Sequence, residues 1–150
     1  MSMELSILGC NSAIPTSYRN PSAQVISVSG RIFLIDCGEG TQFQLRKMHV
    51  NFMRINHIFI SHLHGDHMFG LVGLISTMSL LGRSTQLAVF ARVQMESLLR
   101  PQWDFFCDNL SFDSLSLYHN ECAIKRTVKL SFFIVFFFHI HNKIIHFVNY

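Results

Sequence analysis

Charge is scarce in this chain. Asp, Glu, Lys and Arg supply 14% of its 150 residues while hydrophobic residues supply 49%, which excludes an intrinsically disordered polypeptide, since disorder needs low hydrophobicity and high net charge. One domain of ordinary size is expected at this length. The net charge of +3 is compatible with an RNA partner and too mild to argue for one. Cysteine is equally thin. Cys10, Cys37, Cys107 and Cys122 are scattered and form no C-x-x-C pair, which speaks against a disulfide framework or a structural zinc site and for reduced thiols in a cytoplasmic protein. The first ten residues carry Glu4 and no basic n-region, so no secretory signal is expected. The only long apolar run, Val128 to Phe138, is shorter than the roughly 18 to 20 residues that cross a bilayer, so no membrane segment is expected either.

What the sequence does hold is concentrated in Ser61-His62-Leu63-His64-Gly65-Asp66-His67, directly after the apolar run Ile58-Phe59-Ile60. On an extended segment, residues two apart point the same way, so His62 and His64 can aim their imidazoles at one point, as a pair of zinc ligands does. Asp66 and His67 fall where the chain turns into the next helix and can face a second point close by. Imidazole and carboxylate suit zinc or manganese better than copper(I) or an iron-sulfur cluster. Two such metals a few ångströms apart can together clamp a phosphate or carbonyl oxygen.

The rest of the first two thirds reads as alternating strands and helices. Glu4 to Leu8 is a first strand, followed by a loop from Cys10 to Ser22 that holds two of the three prolines, Pro15 and Pro21. Gln24 to Ser29 and Arg31 to Asp36 form a hairpin around Gly30. Asp36 ends the second strand; its carboxylate suits either orienting a ligand histidine or capping the helix predicted from Thr41 to Met48. His57 to Ser61 is the strand that delivers the motif, with His57 at the strand's edge rather than a ligand. A helix from Asp66 to about Leu81, apolar on nearly every side, predicts a buried element whose N-terminus favours anions, and Gly70 and Gly73 leave room for a neighbouring backbone. Leu87 to Ala91 reads as a strand and Val93 to Leu99 as a helix stopped by Pro101.

The motif His62-Leu63-His64-Gly65-Asp66-His67 matches the H-x-H-x-D-H signature of the metallo-β-lactamase superfamily. Around it, Leu8-Gly9-Cys10-Asn11-Ser12-Ala13-Ile14-Pro15-Thr16, Arg19-Asn20-Pro21-Ser22 and Ile35-Asp36-Cys37-Gly38-Glu39-Gly40-Thr41-Gln42 resemble the N-terminal half of the ribonuclease Z family, endonucleases that process tRNA 3′ ends. The likeness runs from about residue 3 to about residue 112. It implies an α/β protein with the αββα metallo-β-lactamase sandwich, truncated to its N-terminal half, with residues 1–112 as that half and 113–150 as a divergent tail outside the family fold. It also implies two zinc ions per complete site, with manganese as a substitute: His62 and His64 hold the first, Asp66 and His67 the second, and Asp66 accepts the proton of the attacking water. The implied substrate is a tRNA precursor, cut after the discriminator nucleotide to leave a 3′-hydroxyl, and the implied assembly is a homodimer, with no membrane partner. The loop from Cys10 to Ser22 would border the active site.

Complete enzymes of the family take a further histidine, a bridging aspartate and a final histidine from the half that follows. Here the later residues offer Asp113, His119, His139, His141 and His146, none in a family motif. His139-Ile140-His141 reads as a chance pair. Lys143 is the only charged residue from Leu130 to Tyr150, and the segment shows neither helical nor alternating periodicity, the mark of sequence not selected to fold, as a truncated or frame-shifted coding region gives. Two alternatives therefore stand beside a ribonuclease Z-like zinc phosphodiesterase: another metallo-hydrolase of the same superfamily, acting on a small phosphodiester or ester, and a non-catalytic fragment.

Overall fold

The computed structural model describes residues 3–14, 16–106, 115–118 and 145–147. Asp113, His119, His139 and His141 lie outside the described residues, and His146 is described as backbone alone. The elements are β1 (Met3–Gly9), β2 (Ala23–Val28), β3 (Arg31–Ile35), α1 (Thr41–Lys47), β4 (Ile55–Phe59), α2 (Gly65–Met68), α3 (Gly70–Leu80), β5 (Leu87–Phe90), α4 (Gln94–Phe106), β6 (Leu115–Tyr118) and β7 (Ile145–Phe147). They build one sheet of order β6-β5-β4-β3-β2-β1-β7. Strands β1 to β3 form an antiparallel meander, whereas β3 to β6 run parallel, joined by helical crossovers. The hairpin between β2 and β3 turns on Ser29 and Gly30, both left-handed at φ 48° and 78°, the backbone that a two-residue turn between twisted strands requires.

Helices α1, α3 and α4 cover one face of the sheet. Leu45, Leu74, Ile75, Met78, Met95 and Leu99 pack there with Val25, Leu34, Ile58 and Val89 from the strands; each such side chain, fully buried, stabilises the fold by roughly 1.5–3 kcal/mol before entropy is counted. The opposite face carries a smaller cluster of Leu5, Ile26 and Ile35, with His57 between the rings of Phe33 and Phe90 at centroid distances of 5.5 and 6.3 Å. His57 therefore sits inside a central strand, not at an edge. One sheet with helices on one side is one αβ half of the expected sandwich. Among the described residues no helix is long and apolar enough to cross a membrane.

Three elements differ from the sequence pattern. The helix expected from Asp66 is broken: α2 ends at Met68, and α3 restarts at Gly70, whose N–H donates to the Cys37 carbonyl at 2.9 Å. A Cβ on Gly70 would collide with the Gly38 carbonyl oxygen, so this glycine serves close backbone approach, whereas a Cβ on Gly73 would meet only the Gln42 side-chain amide. Nor is the helix buried all round, because it lies on the sheet's outer layer: Leu71, Leu74, Ile75 and Met78 face inward while Phe69 and Leu80 are exposed. Lastly, α4 runs through Pro101 to Phe106; Ser97, whose carbonyl loses its usual N–H partner, is exposed to water. Arg83, 2% exposed, carried no sequence signal; it donates to the carbonyls of Met53, Thr85 and Gln86 and to Asn56 Oδ1, tying the start of β4 to that of β5.

β6 and β7 follow residue 112. β7 adds three residue pairs to β1, and among the described residues the core clusters end at Leu99. Deleting residues 128–150 is accordingly expected to leave the thermal midpoint within about 4 °C, the shift that roughly 1 kcal/mol produces at this size. A larger fall by calorimetry would show that this segment packs into the core.

Candidate metal centre

The motif emerges where two parallel strands end side by side. β4 stops at Phe59, and Ile60 and Ser61 continue it in extended form, with the Ile60 N–H donating to the Phe90 carbonyl at 2.9 Å and the Ser61 N–H to Asp36 Oδ1 at 2.8 Å. His64 is still extended at φ −90°, ψ 147°, and α2 begins after it. The four-residue α2 is too short to build the dipole expected at Asp66.

These turns bring the motif side chains together. The ring centroids of His62 and His64 are 4.6 Å apart and those of His62 and His67 3.9 Å, while Asp66 Oδ2 lies 3.4 Å from His67 Nε2. His62 thus stands between His64 and His67 rather than pairing with His64 alone. Asp36, 4% exposed, does not cap α1, whose N-cap is Gly40. Its Oδ2 instead accepts from Ser22 Oγ at 3.2 Å and lies 2.7 Å from His67 Nδ1. Three donors converge on this carboxylate, so Nδ1 carries the hydrogen and the other ring nitrogen, Nε2, is left with its lone pair toward Asp66. Asp36 holds a left-handed φ of 58°, with its N–H bonded to the Phe59 carbonyl at 2.8 Å; that conformation costs a non-glycine residue roughly 1 kcal/mol and is kept where the carboxylate is needed.

Asp66 has a partner that no sequence pattern indicates. The backbone N–H of Ala13, in the loop after β1, donates to Asp66 Oδ2 at 2.8 Å across 53 residues. Ala13 is left-handed too, at φ 59°. This N–H holds the Asp66 carboxyl below the usual carboxylate range, against a smaller opposing effect of burial. Burial pushes the His62 imidazole below its ordinary value, and the neighbouring His67 and His64 add to that. Both directions favour donors, an ionised carboxylate and a neutral imidazole. Burial pushes the nearby Cys37 thiol up to about 12, so it remains protonated and no ligand.

Among the described residues no group of three or more His, Cys, Asp or Glu side chains is set to hold a metal ion. The donor set that is present, three imidazoles and a carboxylate with an oriented Nε2, fits a divalent cation such as zinc in chemistry and falls short in number, at two donors per ion. Concavity points elsewhere: cavities of about 660 and 610 Å³ lie at the opposite end of the sheet, around Ser6, Ser27 and Lys47 and around Arg31 and His57. They lack the convergence of ligand-type groups, and chemistry therefore decides the choice.

The chain matches the family model described as Anti-Pycsar protein Apyc1 over residues 3–142. It is 54% identical over 109 residues to a ribonuclease Z of Phocaeicola vulgatus, a match covering 73% of this chain and 35% of that one. A ribonuclease Z of Bacteroides fragilis gives 54% over 109 residues and 36% of its length. The chain thus spans about a third of these curated relatives. Among solved structures it is similar to the short form of human tRNase Z, with a TM-score of 0.71 and 36% identity over 77% of this chain and 44% of that one. A long form RNase Z from yeast, at 19% identity and a TM-score of 0.66, shows the fold alone.

Proposed function

This chain belongs to the Anti-Pycsar protein Apyc1 family, and from that premise, together with its likeness to ribonuclease Z, we infer that it carries the N-terminal part of a zinc-dependent phosphodiesterase site that removes tRNA 3′ trailers. The observation that carries the reading is the oriented His67: Asp36 takes its Nδ1 at 2.7 Å and leaves Nε2 facing Asp66. His62 and His64 would hold one divalent cation, Asp66 and His67 a second. When bound, such cations supply Lewis-acid activation of water and of a phosphoryl oxygen. The chain's own residues then have separate tasks. Asp36 fixes the tautomer and direction of the His67 ring, and Ser61, through its N–H, fixes Asp36. Asp66 holds a carboxylate able to take a proton from an attacking water. The same reading brings manganese as a substitute metal, a tRNA precursor as partner, a homodimer and a cytoplasmic place of work.

A second reading has its own support. The matching family model is described by a different name from the curated relatives, so another hydrolase of this fold, acting on a small phosphodiester or ester, stands as the alternative; a panel of such small substrates beside a tRNA precursor decides between them. The metal claim has its own test. With two donors per ion, the purified chain is expected to hold zinc weakly and below a full pair per chain. Elemental analysis that found two tightly held zinc ions would place further ligands in residues beyond Phe106.

A further inference from the structure

We propose that Ala13 is a positioning residue for Asp66, its left-handed N–H fixing the carboxylate and tying the loop between β1 and β2 to the metal-binding groups. The proposal rests on the role given to Asp66 above. Asp66 is the second residue of a four-residue helix with no side-chain cap and a break directly after it, so its own element does little to hold the side chain in one rotamer. The 2.8 Å bond from Ala13 does hold it. That N–H takes one lone pair of Oδ2, which leaves the second lone pair of Oδ2, 3.4 Å from His67 Nε2, and the other oxygen for a cation or a proton.

The loop gains from the same contact. Asn11, Ile14 and Thr16 donate to the carbonyls of Asn20, Ser12 and Arg19 and close the loop on itself, while the Ala13 bond reaches out to the motif. Ile14 and Tyr18 stay 73% and 63% exposed, so burial does not hold the tip in place. A left-handed alanine is retained at the one position whose N–H must turn toward the carboxylate. Whatever changes the charge or coordination of Asp66 is therefore felt by the loop, and the reverse.

Two variants and one measurement without metal test this on the full chain. Ala13→Gly keeps the N–H and suits a positive φ, so its zinc affinity by chelator competition should match the parent. Ala13→Pro removes the N–H and should weaken zinc by roughly tenfold or more, the usual effect of losing a group that orients a ligand. Proline also disturbs the loop, so the Ala13 amide resonance is followed with Ala13 intact: in Asp66→Ala it should move upfield and exchange faster with solvent. An Ala13→Pro chain that binds zinc like the parent, or an Ala13 amide indifferent to Asp66→Ala, overturns the proposal. A parent chain that takes up no zinc sinks the reading of the site instead, and the amide measurement, which needs no metal, still decides the contact.

Discussion

Mixed with a 3′-extended tRNA precursor and zinc or manganese, this chain alone is expected to leave the substrate uncut. The described residues bring four donors to the site, His62, His64, Asp66 and His67, and a pair of catalytic cations needs about three protein ligands each with a position left for water. Preorganisation fails first when ligands are missing, because an ion that can wander stabilises neither the attacking nor the leaving oxygen. The chain spans 35% of a ribonuclease Z that it matches at 54% identity, so the remaining part of such an enzyme, supplied as a separate chain, is the natural complement. It should pack on the sheet face that carries Leu5, Ile26 and Ile35 and restore some cleavage. Asp66→Ala should then lower the restored rate at least about a hundredfold, the scale of a lost general base, with the lost ligand adding to it. Strong cleavage by the unaided chain, seen on a denaturing gel, would refute the half-site reading. Restored cleavage that survives Asp66→Ala would discard the role given to that residue.

Much of this was open to reading because the informative signals are local. The two-residue turn at Ser29-Gly30, the strand ending at the motif and the helix after Gly40 each depend on neighbours in sequence, and the structure places them within a residue or two of expectation. The spacing of His62 and His64 on an extended segment is likewise a local property. What stayed hidden depends on contacts between distant segments. The bond from Ala13 to Asp66 joins residues 53 apart; for Asp36, which the sequence left between orienting a ligand histidine and capping α1, only the contacts with Ser22 and His67 from other segments decide for the first. The break after Met68 follows from the close approach of Gly70 to Gly38 and Cys37, which a run of apolar residues cannot announce. Arg83 was invisible for the opposite reason. An arginine ordinarily reads as surface, and only the four acceptors gathered around it explain its burial.

Asp36 offers the sharpest separation of folding from metal binding. Replacing it with alanine should cost about 3 kcal/mol or more in urea denaturation, since the half-buried Ser61 N–H and the His67 and Ser22 donors lose their common acceptor while a left-handed φ remains to be held by a residue poorly suited to it. Asparagine is a different probe. It has nearly the same shape and tolerates left-handed backbone, so Asp36→Asn should fold with a loss nearer 1 kcal/mol. Its amide, however, has only one acceptor oxygen. With that oxygen kept for the Ser61 N–H, the NH₂ faces His67 Nδ1, which must then accept rather than donate. The hydrogen moves to Nε2, the nitrogen 3.4 Å from Asp66, and His67 is lost as a ligand although it has not been mutated. Zinc affinity should fall roughly tenfold to a hundredfold in a chain that still unfolds cooperatively. Nitrogen chemical shifts of the His67 ring would report the exchanged tautomer directly. An Asp36→Asn chain that keeps both the parent tautomer and the parent zinc affinity would show that Asp36 supports the end of β3 and nothing more.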